Sequence, residues 1–198
     1  VDLKTGKRRW HYQFVHHGIW DIDIPCAPIL VEATVNGRTI KAVAQPTKQS
    51  WLYVFNRETG EPVWPIEERP VPKGDVPGEW YAPTQPFPTK PPAYGRQGAM
   101  IDDLIDFTPE LRAEALKVVS QYKMGPIFTP PVVSKAEGPL GMLSAVRSGT
   151  IWAGGSYDPE TRIAYVFSGG AISSIGIVAS NNPAFDVDYA SGSALTGP

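Results

Sequence analysis

Apolar and polar residues alternate with a period of two near the start of the chain. Trp10, Tyr12 and Phe14 interleave with Arg9, His11 and Gln13, the pattern of a strand with one buried face. Ahead of them Asp2-Leu3-Lys4-Thr5-Gly6-Lys7 reads as a turn, with glycine where a positive φ is needed. Ile29–Val35 and Arg38–Gln45 flank Asn36-Gly37, the dipeptide best suited to a tight type I′ hairpin. Trp51-Leu52-Tyr53-Val54-Phe55 lacks polar alternation and predicts a strand buried on both faces. Asn56…Thr59-Gly60…Trp64 then repeats the spacing of Asp2…Thr5-Gly6…Trp10. A strand, a Thr-Gly turn and a tryptophan recurring at about the length of one four-stranded blade predict a β-propeller. Tyr157-Asp158-Pro159-Glu160-Thr161 joins two further apolar runs and echoes the turn without its glycine.

The pattern breaks between Pro62 and Pro92, where prolines fall at 62, 65, 70, 72, 77, 83, 86, 88, 91 and 92. No central strand accepts that many residues without an N–H, so this stretch reads as an ordered excursion or loop, partly in polyproline conformation. It opens an insertion at about 65–131. One short helix lies inside it: Thr108 caps, Pro109 fits the first turn, and Leu111, Ala115, Val118, Val119 and Tyr122 mark an apolar face before Gly125. After Val166 the chain is rich in Gly, Ser, Ala and Asn, with too little apolar content to close a core alone.

Composition narrows the class. With 19 glycines, 21 prolines, 6 tryptophans and 8 tyrosines in 198 residues, turns and short strands outweigh helices, and the expected fold class is all-β. A net charge of −2 gives no electrostatic reason to expect nucleic acid or an anionic membrane as partner. The one cysteine, Cys26, excludes an internal disulfide and reads as a small buried apolar side chain. No run is long and apolar enough to span a bilayer. The chain opens at Val1 inside a strand-turn pattern and reads as part of a longer protein.

The candidate chemistry sits in Trp20-Asp21-Ile22-Asp23-Ile24-Pro25. Two carboxylates so close repel unless a cation, a proton or solvent compensates them. Lys48 is the cation that can answer. It lies in the otherwise uncharged stretch Ala42–Trp51, at the far end of the predicted hairpin. From the residues alone Asp21 fits either a general base or a turn aspartate on local amides, and Asp23 either a metal ligand or a local cap. Lys48 fits either a site cation or a solvated loop lysine. His16 and His17 are adjacent, so on a strand they face opposite ways and suit packing or rim contacts better than one metal. The tryptophans suit blade-to-blade packing. The proline-rich segment is either a lid over the site or a plain surface insertion.

Several of these stretches resemble the quinoprotein dehydrogenases, eight-bladed propellers that use pyrroloquinoline quinone (PQQ). The Thr-Gly…Trp turns are similar to that family's tryptophan-docking motifs. His16-His17-Gly18-Ile19-Trp20-Asp21-Ile22-Asp23-Ile24-Pro25 resembles the segment bearing its catalytic aspartate, and the spacing to Lys48 resembles that of membrane-bound glucose dehydrogenases. Pro83-Thr84-Gln85-Pro86-Phe87-Pro88, Ile127-Phe128-Thr129-Pro130-Pro131 and Trp152–Pro159 match as well. Gly18 departs from the pattern, since many relatives carry Asp there. Phe167-Ser168-Gly169-Gly170 stands where methanol-type members place a cofactor-contacting Asn.

The resemblance implies an enzyme that oxidises an alcohol or an aldose sugar, with this chain as part of its propeller and inactive alone. Asp21 would be the general base, Lys48 a contact to the quinone oxygens, and Asp21 and Asp23 ligands of Ca²⁺, Mg²⁺ or a lanthanide. It also implies a quinone or cytochrome c as electron acceptor and a periplasmic location, with any inner-membrane attachment through parts outside this chain. Two alternatives stand beside it: a non-catalytic propeller scaffold for partner proteins, and a degenerate dehydrogenase that binds PQQ poorly.

Overall fold

The computed structural model describes residues 1–146, 149–180, 182–184 and 186–197. Its first sheet is an antiparallel meander of β1 (Ile29–Val35), β2 (Arg38–Pro46) and β3 (Leu52–Asn56). Val35 pairs with Arg38 across Asn36-Gly37, both at positive φ (50° and 75°), so the type I′ hairpin forms as its dipeptide requires. β3 separates two apolar clusters. Val54 faces Ile29, Val31, Ala42 and Ala44, while Tyr53 and Phe55 face Trp20, Ile22, Trp51, Phe128 and Met142. The strand is therefore buried on both faces, as its unbroken apolar run predicts.

Residues 9–14 depart from the expected strand. They alternate in burial as the period of two demands, but form no ladder. Instead of lying beside a strand edge, the segment crosses the face of β3. Tyr12 meets Phe55 at 4.8 Å between ring centroids, and Phe14 meets Tyr53 at 4.9 Å. A period of two reports which side chains are buried, whereas a ladder needs a backbone partner at an edge.

The repeated turns share one geometry. Asp2 and Asn56 each accept from the amides two and three residues on, and Gly6 and Gly60 close the turns at φ 70° and 83°. In the third copy Asp158 accepts from Glu160 N at 2.9 Å, and Arg162 takes the left-handed position at φ 59° without being glycine. Trp10 lies flat on Gly60, where a Cβ would sit 2.6 Å from its ring, and its Nε1 donates to Arg57 O at 3.2 Å. The tryptophan of one motif thus docks on the turn of the next. Trp64 and Tyr157 pack against the same cluster of Ile29, Val31, Ala42, Ala44 and Val54 and line one cavity with Arg162 of the third turn.

The proline-rich excursion is more ordered than a loop. β4 (Ile66–Pro70) and β5 (Thr84–Pro88) pair antiparallel as an isolated two-stranded ribbon. With no third strand, prolines 70, 86 and 88 cost it no ladder partner, which is why the ribbon tolerates them. Helix α1 (Pro109–Val119) starts as predicted, with Thr108 Oγ1 accepting from Leu111 N at 3.3 Å. Its apolar face is not core: Leu111, Leu116 and Val118 are exposed, and only Val119 is buried. Tyr122 lies beyond the helix, in the short strand Tyr122–Lys123. The tail, too poor in apolar residues to close a core alone, pairs with earlier strands: Ser173–Ala179 joins Gly141–Ser144, Val132–Val133 and Tyr189–Ser191 at the centre of a five-stranded sheet. Its small residues let the neighbours approach: a Cβ on Gly176 would lie 2.5 Å from Leu140 O. The result is an all-β partial propeller with one helix.

Candidate active site

Residues 20–23 alternate buried, exposed, buried, exposed. Trp20 and Ile22 are each 3% exposed in the core, and the Trp20 indole donates to Thr129 O at 2.8 Å. Asp21 and Asp23 are thereby turned outward, their side chains 73% and 61% exposed. Asp21 sits at φ 59°, a left-handed position that costs a non-glycine residue about 1–2 kcal/mol.

Lys48 comes from the opposite kind of environment. It belongs to the loop joining β2 to β3, where Pro46 pairs with Leu52 and Thr47, Gln49 and Ser50 are fully buried. Thr47 Oγ1 donates to Trp51 O at 3.1 Å, Thr47 O accepts from Ser50 N at 3.1 Å and from Thr150 N at 2.9 Å, and Tyr94 Oη accepts from Thr47 N at 3.2 Å. Gly149 presses against the loop so closely that a Cβ there would lie 2.3 Å from Thr47 O and 2.4 Å from Lys48 O. The side-chain amide of Gln49 is fully buried with no hydrogen-bond partner among the described residues.

The loop delivers an ammonium, only 13% of whose side chain is exposed, to the carboxylates. Lys48 Nζ donates to Asp23 Oδ1 at 2.5 Å and to Asp21 O at 3.0 Å, and lies 3.5 Å from Asp21 Oδ1. The hydrogen bond from Lys48 holds the Asp23 carboxyl below its ordinary value, against the opposing effect of partial burial. The three residues singled out in the sequence are therefore one cluster. It opens on a cavity of about 470 Å³ lined by Tyr12, Phe14, Gly18, Asp21 and Asp23.

The two histidines form no metal pair. His16 Nε2 lies 2.9 Å from Glu68 Oε1 on β4. His17 Nε2 lies 2.7 Å from Glu79 Oε1, and its ring stacks on Trp80 at 3.7 Å between centroids. Both are rim contacts to the proline-rich excursion. Cys26 is buried as expected, and burial pushes its thiol up. Sequence reasoning missed Gln85, a fully buried side chain bonded to both backbone groups of His16. Its one sequence signal is an amide flanked by Pro83 and Pro86 in a stretch where few other side chains can reach inward.

As a cation site the cluster is partial. Among the described residues no three His, Cys, Asp or Glu side chains converge, and hard cations such as Ca²⁺ take six to eight oxygens. Two outward carboxylates fit one edge of such an ion, and the Lys48 ammonium fits an anionic or quinoid oxygen beside it. No helix among the described residues is long and apolar enough to cross a membrane.

Comparison with known proteins gives the cluster its context. The family profile described as PQQ, glucose/ethanol/alcohol dehydrogenase, β-propeller domain, matches residues 1–193. The quinoprotein glucose dehydrogenase of Escherichia coli (strain K12) is 35% identical over 83% of this chain and 20% of that protein. The glycerol dehydrogenase large subunit of Gluconobacter thailandicus is 33% identical over 82% of this chain and 22% of that subunit. The quinate/shikimate dehydrogenase (quinone) of Acinetobacter baylyi is 32% identical over 84% of this chain and 20% of its own length. The chain thus spans about a fifth of the curated relatives it matches. No solved structure gives a significant match. With 193 residues matched, the chain belongs to the PQQ-dependent glucose/ethanol/alcohol dehydrogenase family and forms part of its β-propeller domain.

Proposed function

We propose that the protein carrying this chain oxidises an alcohol or an aldose sugar with PQQ, using Asp21 as general base and Lys48 at the quinone oxygens. The observation that carries this reading is the Lys48 ammonium, positioned 3.5 Å from the outward carboxylate of Asp21 and bonded to Asp23. Bound PQQ would supply the two-electron acceptor. Asp21, exposed on the cavity wall, takes the proton of the substrate hydroxyl. Lys48, held on a buried loop, would offer a compact positive charge to the acceptor's oxygens. Asp21 and Asp23 would hold one edge of a Ca²⁺, Mg²⁺ or lanthanide ion, whose remaining ligands would come from outside this chain. A quinone or a cytochrome c receives the electrons, and the enzyme works in the periplasm, where membrane attachment would come from other parts of it.

The test is dye-linked dehydrogenase activity of the whole reconstituted enzyme across metal concentrations. Asp21→Asn keeps the shape and loses the proton acceptor, so saturated turnover falls by on the order of 10²–10⁴ while PQQ still loads. Asp23→Asn instead raises the metal concentration needed for activity. Near-normal saturated turnover in Asp21→Asn would remove the base assignment.

A further inference from the structure

The backbone carrying the candidate base is not held by secondary structure. Residues 8–28 belong to no strand or helix and make no backbone–backbone hydrogen bond among the described residues. Its own Trp20 and Ile22 anchor it in the core, but its backbone is fixed only by side chains that reach its amides and carbonyls. Beside Gln13, which donates locally to Val15 O at 3.0 Å, three from outside the segment do so around the site. Lys48 Nζ donates to Asp21 O, and Gln45 Nε2 donates to Cys26 O at 3.2 Å, both from the β2–β3 region. The third comes from the proline-rich ribbon and precedes Asp21. Gln85 Oε1 accepts from His16 N at 2.8 Å, and Gln85 Nε2 donates to His16 O at 2.6 Å.

Gln85 satisfies both backbone groups of one residue from a fully buried position on β5. Such a reciprocal clamp mimics one rung of a β-ladder and fixes the peptide planes on both sides of His16. His17 follows at φ 45°, locked by Glu79 and Trp80 of the same excursion, and Asp21 follows at φ 59° with an outward carboxylate. Two left-handed residues so close together leave little slack, so a shift at His16 is passed on to Asp21 rather than absorbed. Resting on the reading of Asp21 as base, we infer that Gln85 is a positioning residue: the ribbon sets the position of the Asp21 carboxylate through the His16 backbone. Through Gln85 the ribbon then supports the site and is not a plain surface insertion.

The test uses the whole enzyme with three variants. Gln85→Met keeps the volume and removes both bonds, Gln85→Asn keeps the amide but is one methylene too short to hold both, and Thr89→Ala removes only the hydroxyl bond to Pro65 O at 2.7 Å while the Thr89 N–H bond to the same oxygen stays. Hydrogen exchange of peptides covering His16–Ile24 is followed in the cofactor-free enzyme. Turnover is measured per loaded enzyme, well below its melting temperature. Gln85→Met speeds exchange in that segment and lowers kcat about tenfold or more with KM within about twofold, as misplacement of a reacting group does. Gln85→Asn does the same to a smaller degree and serves if the methionine variant fails to fold. Thr89→Ala leaves both readouts alone. Unchanged exchange in the segment, or faster exchange with unchanged kcat while Asp21→Asn is inactive, overturns the inference and leaves Gln85 a packing residue. An active Asp21→Asn instead removes the base reading, and the exchange readout alone then decides whether Gln85 holds the segment.

Discussion

The two halves of the candidate site are built by opposite means. The loop that bears Lys48 is a closed unit: short, buried and bonded to itself, to Tyr94 and to Thr150. The segment that bears Asp21 and Asp23 has no backbone ladder and depends on side chains from elsewhere, namely Trp20 in the core, Lys48, and Gln85 on the ribbon. A cation that must be presented with little exposure needs a rigid frame, because reorganising it would cost the stabilisation it provides. A carboxylate that must reach an incoming hydroxyl has to stay exposed, and its frame can only come from behind.

This contrast predicts different failures in the two halves. After Asp21→Asn the largest effect falls on the cation: in the whole enzyme Lys48→Ala lowers turnover by on the order of 10²–10³, the usual cost of losing one preorganised donor, and weakens PQQ binding. Lys48→Arg recovers part of this at most, since a planar fork does not fill the place of a compact ammonium. Steady-state rates and PQQ titration check both, and an alanine variant with normal affinity and rate would put Lys48 back among solvated loop lysines.

Next comes the frame of that loop. Gly149→Ala drives a methyl into Thr47 O and Lys48 O, which are backbone atoms that cannot step aside. Denaturant unfolding of the whole enzyme should show a loss of about 1–3 kcal/mol, together with weaker PQQ binding. Retained stability would mean that the loop yields and is not the rigid half.

Trp20→Phe probes the other half. It keeps most of the buried ring but leaves Thr129 O without its indole donor, a loss of about 1–3 kcal/mol. Because the carboxylate segment hangs on few anchors, kcat should fall more than PQQ affinity. Equal losses in the two would blur the distinction between the halves.

The smallest effect is acid sensitivity. Lys48 lowers the folded-state value of Asp23, so the stability this pair contributes is present above the ordinary carboxylate value of about 3.9 and is lost as pH falls through the lower folded value. With Asp23 61% exposed, the contribution is at most about 1 kcal/mol. Unfolding midpoints measured from pH 5 down to pH 2 should converge for the native enzyme and Asp23→Asn. Curves that stay parallel would mean the pair adds nothing to folding.

What the sequence determined by itself was governed by short-range rules. Asn36-Gly37 demanded two positive φ values and formed its hairpin, Thr108 capped the helix, and Tyr53-Val54-Phe55 was buried on both faces. The alternation of Trp20, Asp21, Ile22 and Asp23 likewise sorted core from cavity, and the resemblance directed attention to Lys48. Tertiary structure decided the rest, because local pattern says which side chains need burial and not what will bury them. Residues 9–14 found the face of β3 instead of a strand edge, the apolar side of α1 stayed exposed, and the ribbon gave its prolines a place without ladder partners. Gln85 is the sharpest case. Its proposed role depends on meeting His16 from 69 residues away, and only packing brings a buried amide to a backbone that has no other partner among the described residues.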